Sequence, residues 1–187
     1  ITEDTKWIRD SYFFNGHTGF LVGSEGNIIK TDDTGQSWTN IYSDVVEDLW
    51  NIEFINRQTG FIVGDFGRIL KTVDGGETWQ KTNSGTQENI YSIGFINNLE
   101  GWVGTENGLR YTTDGGETWH GVPLRYSHGP CMDLVFDCNG NGYAYVISGS
   151  ENLPKEFYKS RSHSYTYLLR LDNGLVNIEP YSGKCQF

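Results

Sequence analysis

The chain has 187 residues, of which 24 are glycine and 14% are Phe, Trp or Tyr, and its formal net charge at pH 7 is −10. The acidic balance argues against a nucleic-acid partner, because phosphates would repel it, and no apolar run is long enough for a transmembrane segment. The composition is typical of one all-β domain spanning 1–187, with no helical periodicity of useful length.

Short segments rich in Ile, Val, Phe, Tyr and Trp follow one another along the chain, separated by Gly, Asn and Asp. This punctuation is typical of strands joined by tight turns. The clearest stretch divides into four predicted strands, at 49–56, 60–64, 68–72 and 79–82, and we label the four strands of a unit A, B, C and D in chain order. A four-strand unit is therefore the expected building block.

The units repeat along the chain with a period of about 41 residues. A glycine followed by an aromatic residue marks each one, at Gly19, Gly60, Gly101 and Gly142. Repeats of this length indicate a repeat fold, in which each unit is one four-stranded propeller blade. The predicted blades cover approximately residues 6–43, 47–84, 88–125 and 129–181, with an insertion at 149–166 in the fourth.

An eight-residue turn recurs at 31–38, 72–79 and 112–119. Its Asp can accept hydrogen bonds from the following backbone, its Gly allows positive φ, and its Trp can cover the hairpin. These positions are therefore expected to have a structural role. They are Thr31, Asp33, Gly35, Trp38, Thr72, Asp74, Gly76, Trp79, Thr112, Asp114, Gly116 and Trp119.

The turn pattern T-x-D-x-G-x-[ST]-W resembles the Asp-box, or bacterial neuraminidase repeat. The longer pattern from Gly60 to Trp79 is most similar to the photosystem II assembly and stability factor type of repeat, which is also common in secreted bacterial proteins. The resemblance implies a β-propeller of four-stranded antiparallel blades. It does not imply one activity, because sialidases, endo-glucanases, sortilin receptors and assembly factors share this repeat.

About four blades fit in this chain, whereas the families it resembles usually have six or more. Three arrangements remain open: a closed four-bladed ring, part of a six- to eight-bladed ring, or an arc that self-association completes. An open arc would expose apolar faces and strand edges at its end blades.

The resemblance to sialidases implies that a ligand binds at the rim opposite the Asp-box turns, where the B-to-C and D-to-A loops lie. The insertion joins that rim, and long loops on rigid scaffolds often carry function. The candidate binding residues are Trp50, Asp65, Arg68, Arg125, Tyr126, His128, Tyr158 and Arg161.

No catalytic set is recognisable in the sequence, so the favoured function is a non-catalytic scaffold that binds a protein or a glycan. The alternative is a glycoside hydrolase, sialidase-like or glucanase-like, whose remaining blades lie outside this chain. A carboxylate pair such as Asp48 and Asp65 on the rim would serve that alternative. No metal or cofactor site is predicted from the residue spacing.

Three cysteines are present, and strand geometry would bring Cys131 and Cys185 to the same rim. A disulfide between them and three free thiols are both compatible with the sequence. The composition, together with a first residue that is not Met, indicates a mature or trimmed chain in an extracytoplasmic location, secreted or periplasmic.

Overall fold

The computed structural model describes residues 6–14, 16–122, 129–136, 142–148, 165–172 and 175–179. These residues form four antiparallel sheets of four strands each. The first sheet contains β1 (Ile8–Phe13), β2 (Gly19–Gly23), β3 (Ile28–Thr31) and β4 (Thr39–Asn40), and the second contains β5 (Leu49–Phe54), β6 (Gly60–Gly64), β7 (Arg68–Thr72) and β8 (Gln80–Asn83).

The third sheet contains β9 (Ile90–Phe95), β10 (Gly101–Thr105), β11 (Gly108–Thr112) and β12 (His120–Gly121). The fourth contains β13 (Cys131–Phe136), β14 (Gly142–Ser148), β15 (Tyr165–Asp172) and β16 (Leu175–Glu179). In every sheet the strands lie side by side in chain order. The predicted all-β architecture of four-stranded antiparallel blades is confirmed, and we refer to the sheets as blades 1 to 4.

Two 3-10 turns, Ser24–Gly26 and Asp65–Gly67, connect the second and third strands of blades 1 and 2. They are the only helical elements among the residues described. In that part of the chain no helix is long and apolar enough to cross a membrane.

The chain divides into two compact units, Ile1–Ile93 and Gly94–Phe187, and the division falls within β9. In the first unit, β6 is buried along its whole length, as its Phe, Ile and Val content predicts. Strand β8 is largely exposed and polar. This gradient from an apolar middle strand to a polar outer strand is the usual pattern of a sheet whose outer edge faces solvent.

The core of the first unit lies between blades 1 and 2 and combines aliphatic side chains with a group of aromatic rings. Phe20 lies 5.3 Å from Phe54 and 6.4 Å from Trp79, measured between ring centroids. Tyr12 and Phe14 pack against the same cluster. The Phe20–Trp79 contact is edge-on, with an interplanar angle of 84°, and contacts of this kind stabilise a core beyond the area that they bury.

The core of the second unit is smaller in the part that the structure describes. Trp102, Leu109, Cys131, Leu134 and Ala144 form one buried cluster. Strands β14 and β15 pair from Gly142 with Leu171 to Ser148 with Tyr165, and residues 149–164, which make up most of the predicted insertion, lie outside the described residues. One boundary needs correction, because residues 165 and 166 belong to β15 and not to the insertion.

Candidate functional site

The loops of the first unit lie on two opposite rims. On one, the Asp65 amide donates to the Asp48 carbonyl at 2.9 Å, which joins a B-to-C turn to a D-to-A loop. On the other, the Gly75 amide donates to the Gln58 carbonyl at 2.8 Å, which joins a repeat turn to an A-to-B turn. We call the first the loop rim and the second the hairpin rim.

The repeat turns on the hairpin rim are held by their aspartates. Oδ1 of Asp74 accepts hydrogen bonds from the Thr72 hydroxyl (2.7 Å) and the Thr78 amide (3.0 Å), and Oδ2 accepts from the Thr78 hydroxyl (2.6 Å). These bonds favour the charged form and lower the pKa of Asp74 to about 2. Equivalent bonds, with the same effect on the pKa, hold Asp33 and Asp114.

On the loop rim, two turn tips adopt a left-handed backbone conformation. Glu25 has φ 58° and Phe66 has φ 55°, although neither is glycine. The Glu25 amide donates to Oδ1 of Asp48 at 3.1 Å, and the Phe66 amide donates to Oδ1 of Asn89 at 3.0 Å. These bonds hold a conformation that is unfavourable for a bulky residue. Phe66 is nonetheless 69% exposed.

The first strands of blades 1, 2 and 3 each bring a large side chain to this rim. The register shifts between Ile8 and Asp10 in β1 and between Leu49 and Asn51 in β5. Arg9 and Trp50 are therefore the extra residues of two β-bulges, which reorient a side chain relative to regular pairing. Tyr91 occupies the equivalent position of β9, 41 residues after Trp50.

These three side chains form a stacked row. The Arg9 guanidinium lies over the Trp50 ring, 4.2 Å from its centroid. The Tyr91 ring lies 5.7 Å from that of Trp50, with an interplanar angle of 76°. The Trp50 indole N–H donates to Oδ1 of Asp65 at 2.7 Å, and Asp48 lies 3.4 Å from the Arg9 guanidinium. We call Arg9, Asp48, Trp50, Asp65 and Tyr91 the rim cluster.

Of the predicted binding residues, Trp50 and Asp65 are therefore in direct contact. Arg68 lies on the same rim, where its guanidinium pairs with Glu47. Arg125, Tyr126, His128, Tyr158 and Arg161 lie outside the described residues, as does Cys185, the predicted partner of the buried Cys131. Arg9 and Tyr91 were not predicted, although their spacing of 41 from Trp50 was a usable signal.

The two carboxylates proposed for the hydrolase alternative already have partners. Asp48 accepts from the Glu25 amide and contacts Arg9, and Asp65 accepts from the Trp50 indole. Within the described part of the chain, no group of three or more His, Cys, Asp or Glu side chains could hold a metal ion.

A second polar group lies on the first strands of blades 1, 2 and 3, which we call the inner strands. Oδ2 of Asp10 accepts hydrogen bonds from the Asn51 side-chain amide at 2.5 Å and from the Ile52 amide at 2.9 Å. Oδ1 of Asn51 in turn accepts from the Ile93 amide at 2.8 Å. Burial, and secondarily the charge of Asp10, raise the pKa of the nearby Glu53 to about 7.

The sequence profile of photosynthesis system II assembly factor YCF48 matches residues 36–148, which is more than half of the chain. The chain belongs to this family. No curated protein sequence matches it at a significant level.

Solved structures show the same fold. A structure of YCF48 bound to a D1 peptide has a TM-score of 0.67 and 24% identity, and the alignment covers 94% of this chain and 53% of that one. YCF48 from Cyanidioschyzon merolae has a TM-score of 0.65 and 16% identity, and the alignment covers 97% of this chain and 58% of that one. An ancestral GH74 enzyme gives a TM-score of 0.70 at 17% identity, with 96% of this chain and 26% of the enzyme covered.

The similarity in structure establishes a β-propeller built from BNR-type repeats. This chain spans little more than half the length of the two YCF48 structures.

Proposed function

We propose that this chain is a non-catalytic scaffold of the photosystem II assembly factor type, which binds a segment of another protein at its loop rim in an extracytoplasmic compartment. Membership of the YCF48 family supports this proposal, since one YCF48 structure contains a D1 peptide.

The observation that carries the proposal is the rim cluster beside an exposed, conformationally constrained Phe66. Two β-bulges and two left-handed turn tips lie on the same rim, and such features concentrate where a side chain must be presented. Exposed aromatic side chains held by a rigid scaffold are typical anchors of protein interfaces. The D-to-A loop adds Val46, which is 82% exposed.

A peptide-display selection with the whole chain as bait tests the proposal. We expect enriched peptides whose affinity falls at least tenfold when Phe66→Ala or Trp50→Ala removes an aromatic anchor. Val73→Ala is the matched control, because Val73 is 67% exposed on the hairpin rim of the same blade. Selection of no peptide, or equal losses in Phe66→Ala and Val73→Ala, would overturn the proposal.

Three other possibilities can be tested with the same protein. A glycan ligand would give binding to xyloglucan oligosaccharides that Trp50→Ala abolishes, and a hydrolase would give products from them. Self-association that completes the propeller would give a dimer mass in light scattering, and peptide binding would then be measured on that dimer.

A further inference from the structure

We infer that the rim cluster binds a basic side chain, Arg or Lys, of the partner segment, and that the Arg9 side chain occupies this cation-binding position when no partner is bound. The inference rests on the proposed function and adds the chemistry of the ligand. Its structural basis is the stack of Arg9 on Trp50 beside Asp48 and Asp65.

The charges around this cation-binding position favour a positively charged ligand. The Asp48 carboxylate contacts Arg9 and the Asp65 carboxylate accepts from the Trp50 indole. Glu25, whose backbone amide donates to Asp48, adds a third acidic residue to the adjacent turn. Two other basic residues of this rim have acidic partners of their own. Arg68 pairs with Glu47, and Lys81 lies 3.6 Å from Asp44.

The cation-binding position has two groups that bind a cation well, an aromatic ring and a carboxylate. The face of a Trp ring attracts a guanidinium or an ammonium, and a nearby carboxylate adds a charge-assisted contact. Trp50 is fixed in place, because its indole N–H donates to Asp65 and its ring contacts Tyr91. A ligand cation would therefore meet a preorganised ring, which reduces the entropy lost on binding.

Arg9 is held loosely enough to be displaced. Its ion pair with Asp48 is a single contact of 3.4 Å, and 36% of its side chain is exposed. Exposed ion pairs of this kind contribute little to stability. A partner Arg or Lys would take the place of Arg9 over Trp50 while Arg9 turns to solvent.

The residues around the cation-binding position indicate what the rest of the partner segment contains. Phe66 follows Asp65 directly and is 69% exposed, and the exposed Val46 precedes the Arg68-paired Glu47. Apolar side chains beside a charged pocket favour a ligand that has apolar residues next to its basic one. The expected partner is an extended basic segment with apolar neighbours, and the acidic net charge of −10 would attract it.

Peptides from the selection test this chemistry directly. We expect a basic residue at one fixed position, and replacing it with citrulline, which keeps the shape and removes the charge, should weaken binding about tenfold. Asp48→Asn and Asp65→Asn keep a hydrogen-bond acceptor and remove a charge, so each should weaken binding about threefold. Arg9→Ala should strengthen it about threefold, because the competing cation is gone. Glu117→Gln, an exposed charge change in the repeat turn of blade 3, should leave binding unchanged.

A second measurement needs no selected peptide. In a titration followed by NMR, N-acetyl-arginine amide should shift the Trp50 indole N–H resonance more than the citrulline analogue does, and more in Arg9→Ala than in the unchanged protein. Equal shifts from both probes would overturn the inference. Selected peptides that are neutral or acidic, and still depend on Phe66, would overturn it while leaving the proposed function intact.

Discussion

The ring of Phe20 in blade 1 lies directly against the bare Cα of Gly76 in the repeat turn of blade 2. A methyl group at residue 76 would lie 2.4 Å from Cζ of Phe20, and Gly76 has φ 87°. Gly35 is the equivalent residue in blade 1. It has φ 82°, but the nearest atom to a methyl there is 3.5 Å away, on Trp38. The two glycines thus share a backbone conformation and differ in packing.

Gly76→Ala and Gly35→Ala should therefore differ in stability. Both introduce a left-handed alanine, which costs about 1 kcal/mol. Gly76→Ala also forces the Phe20 ring aside, which adds about 1–3 kcal/mol. Urea unfolding measures both free energies of unfolding. Equal losses in the two variants would show that the backbone conformation alone requires glycine.

The aspartate of the repeat turn makes a separate contribution. In Asp74→Asn the side-chain amide cannot accept the Thr78 hydroxyl proton as the carboxylate does, so we expect a loss of about 1 kcal/mol at pH 7. Asp32→Asn is the control, because Asp32 is an exposed partner of Lys30 at 3.0 Å and its loss should cost less than about 0.5 kcal/mol.

The stabilisation that Asp74 provides should depend on pH. The pKa of Asp74 is lowered from 3.8 to about 2, so the folded state binds fewer protons there than the unfolded state. The stabilisation is therefore present above about pH 4 and is lost as the pH falls towards 2. The difference in stability between the unchanged protein and Asp74→Asn should shrink over that range in acid unfolding. A constant difference would contradict the assignment.

Glu53 should act in the opposite direction. Its pKa is raised from 4.5 to about 7, so the folded state holds a proton that the unfolded state releases. Stability from this residue is lost as the pH rises from about 4.5 to 7, by at most about 3 kcal/mol. In Glu53→Gln this loss is absent, so the variant should gain relative stability between pH 4.5 and pH 8 in urea unfolding. Parallel pH profiles of the two proteins would contradict the prediction.

The sequence predicted the blades because a glycine followed by an aromatic residue recurs in all four of them, and the eight-residue turn recurs in three. Gly60 begins β6 as expected, and Arg68 and Thr72 bound β7 at the predicted residues. The repeat turns could also be predicted, because their Thr, Asp and Gly have local backbone roles that a short pattern can show.

The rim cluster could be predicted only in part. Trp50 and Asp65 were named from their loop positions, but a β-bulge depends on pairing with the neighbouring strand, and so Arg9 was missed. Phe66 was missed for a related reason, because Gly67 beside it is the residue expected in a left-handed conformation. Hydrogen bonding by Asn89, 23 residues away, is what holds Phe66 there.

Asn51 connects the inner strands of the first unit in both directions. Its side-chain amide donates to Asp10 on β1, and its carbonyl oxygen accepts from the Ile93 amide on β9. Asn51→Ala leaves the Ile93 amide without this acceptor, and we expect a loss of about 1–3 kcal/mol in the free energy of unfolding.

Asn51→Asp separates the two bonds. It keeps an acceptor for Ile93 but removes the donor to Asp10 and places two carboxylates together, so its stability should fall as the pH rises from 4 to 8. Asn51→Ala should lose a similar amount at both pH values, because it adds no charge. If Asn51→Asp shows no greater loss at pH 8 than at pH 4, the Asp10 contact is not a structural hydrogen bond, and the link between the inner strands would depend on the Ile93 amide alone.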